Sequence, residues 1–229
     1  MKQVLVFGSN GSIGNYIFSQ FKNDIENYKV IGTTTNTEKI NKKTIYVTSN
    51  FLDNLKLVDD IDIVIWSQGY NINDNIENFN IVNFQKIMDG NVCFILNTMN
   101  YLLNNCKIKN NAKMVIISSI WENYSRENKL SYSISKASLS SLVKNVSFDL
   151  SKRNILINNV LPGVIDNEMT RKTLTEEQLT YIKQYMNFDR LITLDDVYKI
   201  TKFLVTENTG ITGQSITVDL GFTSLRKYN

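Results

Sequence analysis

Tyr132 and Lys136 stand four residues apart in Tyr132-Ser133-Ile134-Ser135-Lys136, and the run Ile116-Ile117-Ser118-Ser119 before them ends on two hydroxyls. At i and i+4 on a helix both side chains project from one face. A lysine ammonium beside a phenol lowers the phenol pKa from about 10, so the tyrosine can exchange protons near neutrality. Ser119, at a strand end, can hydrogen-bond a substrate oxygen while Tyr132 delivers or removes a proton. The chain has no histidine. That excludes Ser/His/Asp and Cys/His catalysis and the usual zinc centres, and leaves proton chemistry to Tyr, Lys or carboxylates. A second match to the spacing, Tyr198-Lys199-Ile200-Thr201-Lys202, has no strand-end serine before it. It reads as a core contact plus a solvated helix face.

The elements that must position these groups follow from the apolar pattern. Val4-Leu5-Val6-Phe7 leads into Gly8-Ser9-Asn10-Gly11-Ser12-Ile13-Gly14, and Ile13, Ile17, Phe18 and Phe21 continue at helical spacing. Strand, glycine turn and helix in that order let a pyrophosphate sit on free N–H groups at the positive end of the helix. Further short β-type runs fall at 30–31, 45–47, 61–66, 114–117, 155–160 and 216–218, with helical patterns at 84–103, 132–150 and 195–205 between them. Continuous apolar strands alternating with helices predict a single α/β domain, residues 1–229, built on a doubly wound parallel sheet. The connections at 33–44 and 50–60 are short, so the helices there are expected to shrink to a turn or so. At the end of the second strand the run is Thr33-Thr34-Thr35-Asn36, with no acid to hold a ribose 2′-hydroxyl. Its hydroxyls, with Lys39, Lys42 or Lys43 nearby, favour NADP over NAD.

The composition of the 229-residue chain sets bounds: 42% hydrophobic, 21% charged and a net charge of +3. The lysines are scattered among asparagines, which argues against nucleic acid as a partner. No apolar run approaches the length of a bilayer span, so a soluble, cytoplasmic protein without membrane partners is expected. Cys93 and Cys106 are read as helix packing residues, without metal-ligand spacing.

The set Gly8/Gly11/Gly14, Asn91, Ser119, Tyr132, Lys136 and Pro162-Gly163 resembles the short-chain dehydrogenase/reductase family from end to end. Within that family the chain is most similar to 3-oxoacyl-(acyl carrier protein) reductases, through 29–35, Asp74-Asn75, Glu168-Met169-Thr170-Arg171 and Asp189-Arg190-Leu191. The resemblance implies a Rossmann fold and hydride transfer between NADP(H), or NAD(H), and a carbonyl or secondary alcohol. It implies catalytic roles for Asn91, Ser119, Tyr132 and Lys136, with Asn91 holding a proton-relay water. It implies cofactor contacts from Gly8, Asn10, Gly11, Ser12, Ile13, Gly14, Thr33, Thr35, Ser67, Gln68, Gly69, Tyr132, Lys136, Pro162, Gly163 and Ile165, and no metal. A substrate loop is expected at 166–189, with Arg171 helping to dock a carrier protein. A homotetramer is expected to pack through the helices at 91–103 and 132–150. The chain departs from the family at Ser12, at Trp66-Ser67-Gln68 for the usual Asn-Asn-Ala, at Asn167 for a threonine, and at Leu220 for a glycine. Two other readings stay open: a sugar-nucleotide epimerase or dehydratase, and a non-catalytic NAD(P)-binding protein.

Overall fold

Among the described residues seven strands run parallel in the order β3-β2-β1-β4-β5-β6-β7. They are β1 (Lys2–Phe7), β2 (Tyr28–Thr34), β3 (Thr44–Tyr46), β4 (Ile61–Trp66), β5 (Ile108–Ile117), β6 (Leu156–Pro162) and β7 (Ser215–Val218). This computed structural model describes residues 1–34, 44–46, 55–167, 170–171, 175–185, 188 and 190–225. Thr35, Lys39, Lys42, Lys43, Glu168, Met169 and Asp189 lie outside the described residues, as does most of the connection region read as shortened. A 3-10 turn, Leu55–Leu57, lies within that region.

The helices are α1 (Ser12–Asn23), α2 (Ile81–Met88), α3 (Phe94–Asn104), α4 (Leu130–Asp149), α5 (Glu176–Tyr185) and α6 (Leu194–Thr206). Residue alternation along the strands divides the core in two. Leu5, Phe7, Val64, Trp66, Met114, Ile116 and Ile157 face α3 and α4, where Ile95, Met99, Leu102, Leu139 and Val143 pack against them. Val4, Val6, Ile63, Ile65, Val115, Ile117 and Val160 face the other way, onto Ile17 and Phe21 of α1 and Val197, Leu204 and Val205 of α6. Strands buried on both faces must be apolar throughout, which is why the sequence runs lack a polar alternation.

Helices α2 and α3 are joined without a break by one π turn, Asp89–Cys93, in which the Phe94 N–H reaches the Asp89 carbonyl. Cys93 belongs to this turn, but Cys106 is not helical: it is exposed, at φ 55°, just after α3. The expected helical placement of both cysteines therefore holds for one only, because Asn105 already ends the helix.

The sheet reverses its direction of growth between β1 and β4. At such a point the strand ends leave a crevice, since the flanking connections depart to opposite faces. Gly8, Ser67–Gly69, Ser118–Ser119 and Gly163 all follow the carboxyl ends of their strands along this edge, and Pro162 is the last residue of β6.

Candidate active site

The glycine turn is held by close approach of backbones. Gly8 has φ +75°, and a Cβ there would lie 2.6 Å from the Gln68 nitrogen. At Gly14 a Cβ would come within 2.2 Å of the Gly8 carbonyl and 2.4 Å of Ser67 Oγ, whereas at Gly11 the nearest atom is 3.5 Å away. Gly8 and Gly14 are thus demanded by packing, and Gly11 by no contact of that kind. Gly11 is the N-cap of α1 and makes no side-chain cap bond, and no acid stands in the first turn. The positive end of α1 keeps its first N–H groups for something else.

The hydroxyls of β2 serve this turn. Thr33 is buried and its Oγ1 accepts from the Gly8 N–H at 3.3 Å, while its carbonyl accepts from Ser9 Oγ at 2.9 Å. The Asn10 amide donates to Thr34 Oγ1. Two family departures also find their reasons here. Trp66 is fully buried, stacks on Phe7 with centroids 5.7 Å apart, and donates to Thr98 Oγ1 at 2.9 Å. Ser67 Oγ donates to the Phe7 carbonyl at 2.6 Å, tying β4 to β1. The side-chain amide of Gln68 has both polar atoms buried and without a partner among the described residues.

Helix α4 brings Tyr132 and Lys136 to the end of β5. Its own N-cap, Lys129, makes no side-chain cap bond. The cap comes from outside: buried Asp74 accepts from the Ser131 N–H at 3.0 Å and from the Ser131 hydroxyl. A carboxylate at a helix N-terminus satisfies free N–H groups and meets the positive end of the dipole. It also fixes the turn that carries Tyr132.

Lys136 is 3% exposed, and its Nζ donates to the Ile117 carbonyl at 3.3 Å. The ammonium lies 5.6 Å from the Tyr132 ring centroid, and Lys129 Nζ lies 5.8 Å from the same centroid. Ser119 caps the 3-10 turn Ile120–Glu122, its Oγ accepting from the Trp121 N–H at 3.3 Å, and its hydroxyl stands beside Tyr132. Burial pushes Lys136 down to about 8, opposed by the charge of Glu122. Burial pushes Tyr132 up to about 12, with only the Ser119 hydrogen bond pulling the other way. The expected lowering of the tyrosine by its lysine is therefore absent from this geometry. The reason is physical: the ammonium sits over the ring instead of at the hydroxyl, and desolvation of the phenol dominates.

Asn91, in the π turn, is fully buried and its side chain is already occupied. Its Oδ1 accepts from the Tyr70 N–H at 2.6 Å, and its Nδ2 donates to the Tyr70 carbonyl and to Ser135 Oγ, each at 2.9 Å. A Cβ on Gly69 would be 3.6 Å from Asn91 Oδ1 and 3.8 Å from Lys136 Nζ. Gly69, Asn91, Ser119, Tyr132 and Lys136 are accordingly one constellation at the edge of the crevice.

Other sequence-derived positions are more peripheral. Pro162 ends β6, Gly163 packs against Asp219, and Ile165 pairs with Ile192 in an isolated bridge. Asn167 Oδ1 accepts from the Thr170 N–H at 2.8 Å. Arg171, expected at a docking surface, pairs with Asp166 at 2.8 Å. The late pair is apart from all of this: Tyr198 packs on Phe21 and Tyr16 in the α1/α6 layer.

Sequence reasoning passed over buried Glu122 and Asn159 and half-buried Ser215, which hydrogen-bond together. Two signals were available. Asn158-Asn159 puts consecutive amides in a strand that is otherwise apolar, and such groups require partners. Glu122 follows Ile120 and Trp121 directly, an apolar setting for a carboxylate.

Residues 42–223 match a family model described as Enoyl-(Acyl carrier protein) reductase. The chain belongs to the short-chain dehydrogenase/reductase family and is an oxidoreductase. A curated relative, the 3-oxoacyl-[acyl-carrier-protein] reductase FabG of Buchnera aphidicola subsp. Baizongia pistaciae, is 24% identical over 245 residues, covering 96% of each chain. A short-chain dehydrogenase family protein from Francisella tularensis superposes with TM-score 0.87 at 22% identity, covering 98% of this chain and 100% of that one. A 4-hydroxyisoleucine dehydrogenase complexed with NADH gives TM-score 0.83 at 24% identity, covering 99% and 100%. At these identities the structural likenesses speak to the fold. Among the described residues, no helix is long and apolar enough to cross a membrane.

Proposed function

We propose that this oxidoreductase is NADP(H)-dependent and interconverts a carbonyl and a secondary alcohol in the cytoplasm, with a 3-oxoacyl thioester as the leading substrate class. The observation that carries the reading is the buried Lys136 ammonium against the Tyr132 ring, with Ser119 at the strand end beside them. A buried cation costs several kcal/mol unless it has a task or a partner. The cofactor reading rests on the uncapped positive end of α1, the glycine turn that Cβ atoms would fill, and the unpartnered Gln68 amide. Gly8, Asn10, Gly11, Ser12, Ile13 and Gly14 would hold the pyrophosphate. Ser67, Gln68, Gly69, Thr33, Thr35, Pro162, Gly163 and Ile165 would line the rest of the groove.

When bound, the nicotinamide supplies or accepts the hydride. Ser119 donates a hydrogen bond to the substrate oxygen, and Tyr132 protonates that oxygen in reduction or takes the proton back in oxidation. With a tyrosine near about 12 the hydroxyl is held as an acid, which suits carbonyl reduction. Lys136 provides positive charge under Tyr132 and a contact to the cofactor ribose. Asn91 fixes Tyr70 and Ser135 near the lysine with its side chain, which is thereby filled and not free to hold the relay water expected of it. The preference for NADP follows from Thr33-Thr34-Thr35-Asn36, where no acid stands.

The test is oxidation of NADPH and of NADH with a panel of carbonyl compounds that includes 3-oxoacyl thioesters and keto-sugar nucleotides. Turnover with NADPH and a 3-oxoacyl thioester is expected, and turnover only with keto-sugar nucleotides would replace the substrate class. Thr35→Asp should weaken NADPH binding more than NADH binding, because a carboxylate repels a 2′-phosphate. Equal changes in the two dissociation constants would refute the NADP reading. The same proposal includes a homotetramer, since Leu96 of α3 and Phe148 of α4 are 45% and 82% exposed. A monomer in sedimentation at micromolar concentration would remove it.

A further inference from the structure

The segment after β4 is sewn to the chain that enters α4. The Asp74 N–H donates to the Asn128 carbonyl at 3.3 Å, the Leu130 N–H donates to the Asp74 carbonyl at 3.2 Å, and Asp74 and Lys129 pair in an isolated bridge. The Lys129 backbone is the N-cap of the helix, but its side chain makes no cap bond. Its Nζ donates instead to Asn73 Oδ1 at 2.6 Å and to Asn71 Oδ1 at 3.0 Å, and it lies 5.8 Å from the centroid of the Tyr132 ring.

These partners hold an ammonium without cancelling its charge. Lys107, Lys109 and Lys199 meet the carboxylates of Asp59, Asp62 and Asp195 at 2.6, 3.0 and 2.7 Å. Lys129 meets neutral amide oxygens, and Asp74, whose charge also reaches it, directs its carboxylate to the Ser131 N–H and hydroxyl. An ammonium carries three N–H donors. Asn71 and Asn73 take two, and among the described residues the third has no partner. Burial, then the charge of Arg126, push Lys129 down from the ordinary lysine value, with Asp74 opposing. An oxygen acceptor brought to the free donor would offset that desolvation.

We propose that Lys129 determines substrate specificity by binding the C1 oxygen of a 3-oxoacyl compound while the C3 carbonyl meets Tyr132 and Ser119. The proposal rests on the reading of Tyr132 given above and deepens it. Tyr132 and Ser119 grip a ketone by one oxygen, which leaves it free to pivot. An ammonium packed against the same ring stands within reach of a second oxygen two carbons away, and that second contact orients the reacting carbon. Lys136 cannot take this part: it is 3% exposed and turned to the Ile117 carbonyl, whereas Lys129 is half-buried. The C1 oxygen belongs to a carboxylate in a free 3-oxo acid and to a carbonyl in a 3-oxoacyl thioester. An ammonium serves either, and more strongly when the acceptor is ionised.

The experiment is steady-state kinetics with NADPH on acetoacetate, an acetoacetyl thioester and 2-pentanone, which lacks the C1 oxygen. Wild type, Lys129→Met, Asn73→Ala and Tyr132→Phe are compared, with NADPH dissociation constants from fluorescence titration. In Lys129→Met the ratio of kcat/KM for the 3-oxoacyl compound to that for 2-pentanone should fall by about 10- to 100-fold, the range of one hydrogen bond to a charged group. The loss should lie chiefly in KM, and NADPH affinity should move by less than about threefold, a shift well below one such bond. Asn73→Ala, which loosens the ammonium, should lower the same ratio by less. A larger loss on acetoacetate supports the proposal with a carboxylate as occupant, and a larger loss on the thioester supports it with a carbonyl. A structural role would lower all three carbonyls together, and a ratio left in place by Lys129→Met overturns the proposal, as does a wild type that reduces 2-pentanone better than both 3-oxoacyl compounds. Full turnover in Tyr132→Phe overturns the underlying site reading instead. If Lys129→Met does not fold, the Asn73→Ala ratio decides, and its failure to fall overturns the proposal.

Discussion

Helices α4 and α6 carry the same Tyr-x-x-x-Lys spacing, and their tyrosines end alike: burial pushes both Tyr132 and Tyr198 up to about 12. The lysines do not. Lys136 is 3% exposed and pushed down by burial to about 8, with the charge of Glu122 opposing that shift. On α6, Lys202 is only partly buried, and its neighbour Lys199 reaches Asp195 in an exposed i,i+4 ion pair. A buried phenol is something any aromatic core provides, as the Tyr16 and Phe21 contacts of Tyr198 show. A buried ammonium is not, because it must be desolvated and matched. The lysine therefore distinguishes a site from a coincidence of spacing.

The largest effect expected from this contrast is catalytic. Tyr132→Phe removes one hydroxyl and little volume, so kcat for carbonyl reduction should fall by about 10²- to 10⁴-fold while folding is retained. Lys136→Ala should be at least as harmful. Tyr198→Phe and Lys202→Ala should change turnover by less than about threefold, since that face meets no transition-state charge. Steady-state kinetics on the four variants checks this, and a catalytic late pair would invert the comparison.

A smaller effect concerns how the two helices begin. α6 has its own capping box, Thr193 with Asp196, whereas α4 depends on Asp74 from the segment after β4. Thr193→Ala should cost about 1 kcal/mol of stability and leave kcat alone. Asp74→Ala strands the buried Ser131 N–H and hydroxyl and should cost about 1–3 kcal/mol. It should also lower kcat, because the turn it releases carries Tyr132. Denaturant unfolding paired with kinetics at saturating substrate separates the cases, and an unchanged kcat in Asp74→Ala would break the link.

The smallest effect is one of pH. Arg190 holds Asp196 down at about 2, below the usual carboxylate value near 3.9. Its contribution is thus fully present above the unfolded value and is lost as pH falls toward about 2. Asp196→Asn should lower stability by less than about 1 kcal/mol near neutrality, because the Arg190 side chain is 51% exposed. That difference from wild type should shrink between pH about 4 and about 2. A difference that widened on acidification would contradict the assignment.

What the sequence made legible, and what it did not, follows the same division. The strand runs, the glycine turn and the Tyr132/Lys136 spacing could be read because each depends on neighbours within a few positions. The partners of Glu122 could not be read, since Asn159 and Ser215 lie 37 and 93 residues away. The direction of the Tyr132 shift was misread for a related reason: spacing reports that a lysine is near, and only packing reports how dry the phenol is. The departure at Trp66 was visible as an oddity, but its cause, a stack on Phe7 and a bond to Thr98, needed the fold.

The π turn at Asp89–Cys93 has a consequence for how this gene can vary. Each residue of a regular helix advances the chain by about 100° around its axis. Ile87 before the turn and Ile95, Met99 and Leu102 after it are all buried. Eight residues of uniform α-helix would therefore turn Ile95 about 80° away from Ile87, and the extra residue held in the π turn brings the two back to within about 20° of one face. An in-frame loss of the Gly90 codon would let the helix close into uniform α geometry with Ile87, Ile95, Met99 and Leu102 still facing inward, and what would go is the bulge that carries Asn91 to Tyr70. A single-codon deletion in this stretch should accordingly spare the fold and cost the site.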